Sequence, residues 1–360
     1  VTVQATSPNG GGTIEGFFQR LRHRLFPPPQ AADFPPPGIY AYTRTAPGEI
    51  ARLHLRVDED RSGILMVNAS RVLHLNPTAC AMAYCWLQAL PADQTTRTLS
   101  RQYGISRRRA SDDYAQFSAQ LDALVRPDGA CPIHELDLEI TAPFSATPSA
   151  PYRMDLALTY RCNDHCAHCY NARPRDFPEL ATAEWKRILD QLWALGIPHV
   201  VFTGGEPTLR TDLPELIAHA EHNGQITGIN TNGRRLADPA YVQQLVLAGL
   251  DHVQVTLESH DPAIHDAMVG ASGAWKQTVQ GIRNVLADSN RRLYMMTNTT
   301  MLRDNSPTLP ATLDFLAALG VPTVGLNALI YSGKGRTVGK GIPENELPAL
   351  LEIARQRTEV

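Results

Sequence analysis

In the second half of the chain, short apolar runs alternate with stretches whose apolar positions recur every three or four residues. The runs Met154–Thr159, His199–Thr203, Gln225–Asn230, His252–Leu257, Leu293–Thr299 and Thr323–Ala328 predict six strands, with a helix between each pair. Gly196, Gly249 and Gly320 stand where helices end and strands begin. Asp212 with Glu215 reads as an acidic variant of the capping box, and Asp238-Pro239 as a second helix start. The segments LGIPHVVF, AGLDHVQV and LGVPTVGL look like one unit repeated. Such alternation with right-handed crossovers builds a parallel sheet. Six units are too few for a closed eightfold barrel, so the expected fold class is α/β, an open partial (β/α)6 barrel over residues 152–360.

The first half is patterned differently. Strands are expected at Ile50–Val57, Gly63–Val67 and Val72–Leu75. Asn76 then caps a helix that has Pro77 at its first position and runs to about Leu90. A second helix spans Gln94 to Tyr103, before Gly104. A third opens at Ser106, with Tyr114, Phe117, Leu121 and Leu124 on one face. Three strands followed by three helices make residues 38–130 a small α+β unit that resembles a winged helix-turn-helix. Residues 131–151, with Pro132, Pro143, Pro148 and Pro151, read as a linker. Residues 1–37 read as an irregular Pro- and Gly-rich segment around a short amphipathic helix from Phe17 to Leu25.

Composition narrows the function classes. The 360 residues are 43% hydrophobic and 19% charged, which suits a globular chain with a large core. A net charge of -3 gives no electrostatic reason for a nucleic-acid or anionic-membrane partner. No apolar run is long enough to span a membrane, and the N-terminus lacks the order of a secretory signal; a cytoplasmic location is expected. Val1 in place of Met, and a helical stretch running into Val360, suggest a fragment at both ends.

Of six cysteines, three are clustered in RCNDHCAHCY, residues 161–170, directly after the first barrel strand. Clustering in a chain without a secretory signal favours metal over disulfides. Thiolates are soft ligands for iron–sulfur clusters and for zinc. Cys162, Cys166 and Cys169 can wrap one face of a cubane cluster and leave the fourth iron without a protein ligand. The alternative is a zinc site completed by His165 or His168. Placement favours the cluster, because active sites of α/β barrels gather at the carboxyl ends of strands.

A second motif, Thr203-Gly204-Gly205-Glu206-Pro207, follows the second strand. Two glycines allow close backbone approach to a ligand, and the alternative is an ordinary flexible turn. The CxxxCxxC loop and the GGEP turn together resemble the radical S-adenosylmethionine (SAM) superfamily. Thr231-Asn232-Gly233 is similar to its third-strand TNG, Val255-Thr256-Leu257-Glu258 to its fourth-strand VSLD, and Tyr331-Ser332-Gly333-Lys334-Gly335 to the SGRG of the subgroup with a SPASM domain. The resemblance implies a 4Fe–4S cluster on Cys162, Cys166 and Cys169, with SAM chelated to the open iron. It places Gly204, Gly205 and Glu206 at the methionine end of SAM, Thr256 at the ribose with Glu258 nearby, and the His168 backbone near the adenine. Asn298 is a weaker cofactor candidate, as is Asn327, with plain sheet-edge hydrogen bonding as the alternative for both. The family's chemistry is reductive cleavage of SAM to a 5′-deoxyadenosyl radical that abstracts a substrate hydrogen, with flavodoxin or ferredoxin as electron donor. A SPASM region with auxiliary clusters would follow residue 360. No substrate acid or base is apparent.

The front unit resembles the PQQ-biosynthesis chaperone family, also called the RiPP recognition element, through Val72-Leu73-His74-Leu75-Asn76-Pro77-Thr78-Ala79 and the three helices. That resemblance implies a leader peptide added as an antiparallel strand along Val72–Leu75, beside the helix at 106–125. A DNA-reading winged helix is the alternative. Arg107, Arg108 and Arg109 would favour it, while Asp112 and Asp113 would repel phosphate. Cys80 and Cys85 read as buried small hydrophobes and Cys131 as a linker thiol without a role. The expected function is modification of a ribosomally made precursor peptide. The competing readings are tetrapyrrole or cofactor biosynthesis, and a zinc-stabilised non-enzymatic binding protein.

Overall fold

The computed structural model describes residues 2–5, 35–46, 49–125, 139–140, 148–172, 178–288 and 293–358. The expected helix at 17–25, Cys131 and most of the linker lie outside them. Contacts divide the chain into two units, Val1–Pro151 with Ala194–Pro198, and Tyr152–Trp193 with His199–Val360.

The first unit is a six-stranded sheet with three helices. Its centre is an antiparallel meander of β2 (Gly38–Ala46), β3 (Glu49–Val57), β4 (Gly63–Val67) and β5 (Arg71–Leu75). The sequence reading missed β2, whose Tyr40 and Tyr42 pair with Leu55 and Leu53 of β3. Helices α1 (Pro77–Leu87), α2 (Ala92–Tyr103) and α3 (Arg107–Val125) follow. Asn76 caps α1 by accepting from the Ala79 amide, and Gly104 ends α2 in the left-handed conformation. Leu53, Leu55, Leu65, Leu73, Phe117 and Leu121 pack into one core, with Cys80 buried among them. Cys80 and Cys85 are both free and buried.

The edge of β5 differs from expectation. Strand β1 (Thr2–Ala5) lies parallel on β5, with Thr2 opposite Val72 and Ala5 opposite Leu75, and β6 (Glu139–Ile140) pairs antiparallel with β1. The backbone groups proposed for a leader peptide are thus engaged by the chain's own N-terminal segment. A pairing between segments some seventy residues apart leaves no local signal.

The second unit is the parallel α/β sheet. Strands β7 (Arg153–Thr159), β8 (His199–Gly204), β9 (Ile226–Thr231), β10 (His252–Thr256), β11 (Tyr294–Met301) and β12 (Val324–Ala328) pair in chain order, every pair parallel. Between them run α4 (Thr182–Ala194), α5 (Leu213–Asn223), α6 (Pro239–Leu247), α7 (Pro262–Val269), α8 (Ala274–Leu286) and α9 (Leu309–Leu319), with α10 (Leu347–Thr358) after β12. Burial alternates along β10 and β11. Val253, Val255, Met295, Thr297 and Thr299 are buried, while Gln254, Thr256, Met296 and Asn298 are half-buried. Strand periodicity puts the first set on one face and the second on the other.

One local expectation fails. Asp212 precedes α5 but makes no capping bond. Its carboxylate instead accepts from Arg210 Nε and Nη2 at 2.8 and 2.6 Å and from Thr182 Oγ1 at 2.6 Å. A neighbouring guanidinium offers a bidentate charged partner, which outcompetes a single backbone amide. Asp238 does cap α6 through the Ala240 amide.

Candidate active site

The cysteine loop leaves the carboxyl end of β7 and is fastened by backbone from three directions. From β8, the Gly205 amide donates to Thr159 O at 2.7 Å and the Glu206 amide to Arg161 O at 2.8 Å. From α7, the carbonyls of Val269 and Met268 accept from the amides of His165 and Ala167 at 2.8 and 3.1 Å. From the segment after β12, the Lys334 amide donates to Cys169 O at 2.9 Å. Glycine is required where these strands of backbone meet. A Cβ at Gly204 would lie 2.1 Å from Thr159 O, and one at Gly205 2.2 Å from Arg161 O. The two glycines of the GGEP turn therefore admit the cysteine loop itself.

Side chains complete the support. Glu206 is 1% exposed, and its Oε1 accepts from Thr208 Oγ1 at 2.6 Å, Thr231 Oγ1 at 2.7 Å and the Thr208 amide at 3.0 Å; its Oε2 accepts from the Asn232 amide at 2.8 Å. Burial pushes its carboxyl up and these donors pull it down. The residue expected to face SAM thus spends its carboxylate joining the turns after β8 and β9. Asn232 Nδ2 in turn donates to Asn163 Oδ1 at 2.7 Å, and Arg234 Nη1 donates to Asn163 O and Asp164 Oδ1, each at 2.6 Å. On the other side of the loop, His168 Nε2 lies 3.0 Å from Glu258 Oε1. Glu258 Oε2 accepts from the Thr300 amide at 2.8 Å. The sequence reading gave His168 a role through its backbone; the structure adds a side-chain partner on the strand-four turn.

The three thiols sense one another electrostatically. Cys162 is exposed as a residue, but the protein crowded around its sulfur, then the Glu206 and Asp164 carboxylates, push the thiol up to about 11; the Asp164 amide, 3.4 Å from the sulfur, acts the other way. Burial, then Glu258 and Asp164, also push the Cys166 thiol up. Thiolates here need a strong cationic partner to form, as a metal centre provides. Among the described residues, no three His, Cys, Asp or Glu side chains are gathered as one metal ion requires. A tetrahedral zinc would draw its thiolates to within about 4 Å of each other. Asp164 is paired with Arg234, and His168 Nε2 lies against Glu258 while its Nδ1 has no hydrogen-bond partner among the described residues; His165, the other histidine of the zinc alternative, is exposed. Three thiols on one loop, with the Asp164 carboxylate paired to Arg234, fit a cluster held by three thiolates with one metal corner left to a non-protein ligand.

Thr256 of β10, Asn298 of β11 and Gly325 of β12 lie side by side at one level of the sheet. A Cβ at Gly325 would sit 3.1 Å from Asn298 Oδ1, so glycine leaves space for that amide. Asn327 is one level higher, opposite Thr300, and exposed. The sequence reading missed Asn163, Asp164 and Arg234. The last stands directly after the TNG motif, the one local signal that could have drawn attention to it.

The parallel α/β sheet thus carries a three-cysteine loop beyond its first strand, braced by a Gly-Gly-Glu turn beyond its second. Residues 156–316 match the family model described as Radical SAM superfamily. That likeness implies a 4Fe–4S cluster and SAM. The chain is 33% identical over 204 residues to Fe-coproporphyrin III synthase of Methanosarcina barkeri, covering 56% of this chain and 50% of that protein. It is also 33% identical over 192 residues to PqqA peptide cyclase of Granulibacter bethesdensis, covering 53% and 50%. The chain spans about half the length of these curated relatives. Among solved structures, Streptococcus suis SuiB bound to precursor peptide SuiA superposes with a TM-score of 0.60 at 15% identity, over 88% of this chain and 70% of that one. That likeness is one of fold.

Proposed function

We propose that this protein is a radical SAM enzyme that modifies a ribosomally made precursor peptide. The observation that carries the reading is the loop at the carboxyl rim of the barrel: three thiols on one loop, with the Asp164 carboxylate tied to Arg234. When bound, the cluster and SAM supply one-electron cleavage of a sulfonium and hydrogen-atom abstraction. The chain's own residues do the holding. Cys162, Cys166 and Cys169 are the cluster ligands. Gly204 and Gly205 let the turn after β8 press against the cysteine loop, where the Gly204 carbonyl accepts from Asn171 Nδ2 at 3.1 Å. Glu206 and Glu258 keep the turns in register, and Thr256 and Asn298 offer a hydroxyl and an amide to the ribose and its neighbours.

A peptide substrate is supported by the front unit. The likeness to SuiB covers 88% of the chain, more than the barrel alone can supply, and that structure holds a precursor peptide. The similarity to PqqA peptide cyclase points the same way. In this reading a leader peptide competes for the β5 edge with Thr2–Ala5. A flavodoxin or ferredoxin is the proposed electron donor, and a location in the cytoplasm is proposed with it. No described helix is long and apolar enough to cross a membrane.

The similarity to Fe-coproporphyrin III synthase favours a second reading, a tetrapyrrole substrate. One experiment separates the readings. The protein is reconstituted anaerobically with iron and sulfide, reduced in the presence of SAM, and assayed for 5′-deoxyadenosine with a precursor peptide or with a coproporphyrin. Peptide-dependent product and a mass change in the peptide support the first reading. Coproporphyrin-dependent product supports the second, and a protein that takes up zinc but no iron overturns both.

A further inference from the structure

Asp164 is placed where its charge is unhelpful. Its side chain is only 2% exposed, and it sits between Cys162 and Cys166 in the chain. A cubane carrying three thiolates is net negative, and it becomes more so on reduction. A bare buried carboxylate beside it opposes both assembly and reduction. One cation answers this charge. Arg234 Nη1 lies 2.6 Å from Asp164 Oδ1, with its side chain only 18% exposed. The guanidinium is held in place from its other side, since Nε donates to Gln277 Oε1 at 2.7 Å. Its own amide donates to Asn232 Oδ1 at 3.1 Å, and Asn232 reaches Asn163 beside the first cysteine.

We propose that Arg234 is a positioning and counter-charge residue for the cluster, which fixes the Cys162–Cys166 turn through Asn163 O and cancels the Asp164 carboxylate so that the loop can accept a negatively charged iron–sulfur group. The inference rests on the radical SAM reading and deepens it: the motif after the third strand acts on the metal-binding loop by charge as well as by shape. Because Asp164 is the group being neutralised, removing its charge compensates for losing Arg234. A residue that acted only as a hydrogen-bonding clasp would show no such compensation.

The test compares reconstituted wild type with Arg234→Ala, Arg234→Lys, Asp164→Asn and the double variant Arg234→Ala/Asp164→Asn. Iron and sulfide per chain, the rate of iron loss to a chelator, and the midpoint potential of the cluster followed by EPR are measured. Arg234→Ala is expected to hold less than half the wild-type iron, to lose it several-fold faster, and to show a lower midpoint potential in the cluster that remains. The double variant should recover most of the iron and the potential, and Arg234→Lys should stay near wild type because it keeps the charge. Equal iron content and potential in Arg234→Ala and wild type overturn the inference. So does a double variant as depleted as Arg234→Ala, or an Arg234→Lys protein as depleted as Arg234→Ala. A wild type that takes no cluster overturns the functional reading beneath it, an outcome distinct from these.

Discussion

His168 and Glu258 meet at 3.0 Å, and together they join the turn before the third cysteine to the turn after the fourth barrel strand. Both are buried, at 8% and 1% exposure. Glu258 also receives the Thr300 amide, and its own amide donates to His265 Nδ1 at 3.1 Å. Glu258→Ala leaves the Thr300 amide without its acceptor and should cost about 2 kcal/mol, with a fall of several degrees in the melting temperature of the apoprotein. Glu258→Gln, which keeps an acceptor for Thr300, should lose less than half of that. Differential scanning calorimetry of the three proteins checks it.

The Gly-Gly pair gives a sharper expectation. Alanine at 205 would put a Cβ 2.2 Å from Arg161 O, a contact that only movement of the cysteine loop can relieve. Gly205→Ala should lose most of its capacity for iron while Gly249→Ala, far along the chain at the end of α6, should not. Iron per chain after anaerobic reconstitution distinguishes them.

Cysteine replacements should sort by loop. Ser at Cys162, Cys166 or Cys169 should abolish the visible absorption of the reconstituted protein. Ala at Cys80, buried in the core of the front unit, should leave it intact while lowering stability by about 1 kcal/mol. Burial pushes the Cys80 thiol up to about 12, so slow alkylation of this residue in the folded protein is a further check.

Two histidines make stability depend on pH. His252 Nε2 lies 2.8 Å from His199 Nε2, and burial, reinforced by Arg153, pulls the His252 ring down to about 4. The unfolded chain titrates near the ordinary value of about 6.5 and so binds more protons between those limits. The contribution is complete above pH 6.5 and is lost as the pH falls towards 4, up to about 3 kcal/mol. His265, also pulled down by burial, adds a slope of the same sign. His252→Gln should flatten the fall in melting temperature between pH 6.5 and 4 without abolishing it.

Much of the barrel was legible because its signals are local. A parallel strand buried by helices is an apolar run, a helix end is a glycine or a capping aspartate, and three cysteines on one loop need no distant partner to be recognised. The features missed depend on partners far away in the chain. Strand β2 carries Tyr40, Tyr42, Thr43 and Arg44, and its strand character comes from pairing along all of β3. Asp212 looked like a cap because its spacing to Glu215 was read alone; Arg210, two residues earlier, and Thr182, thirty residues earlier, decide its role. Glu206 looked like a ligand-facing carboxylate, and the four donors that surround it come from two separate turns. Spacing reveals which atoms a motif brings, and only the assembled turns reveal where those atoms are spent.

Strands β7 and β12 are the outer members of the barrel sheet and do not pair with each other among the described residues. Their ends are nonetheless bridged, since Lys334 binds the Cys169 carbonyl and a Cβ at Gly333 would lie 2.5 Å from it. The first and last strands of the open sheet are thus held to each other through the cysteine loop by main-chain atoms, so a change in either edge is felt at the third thiol.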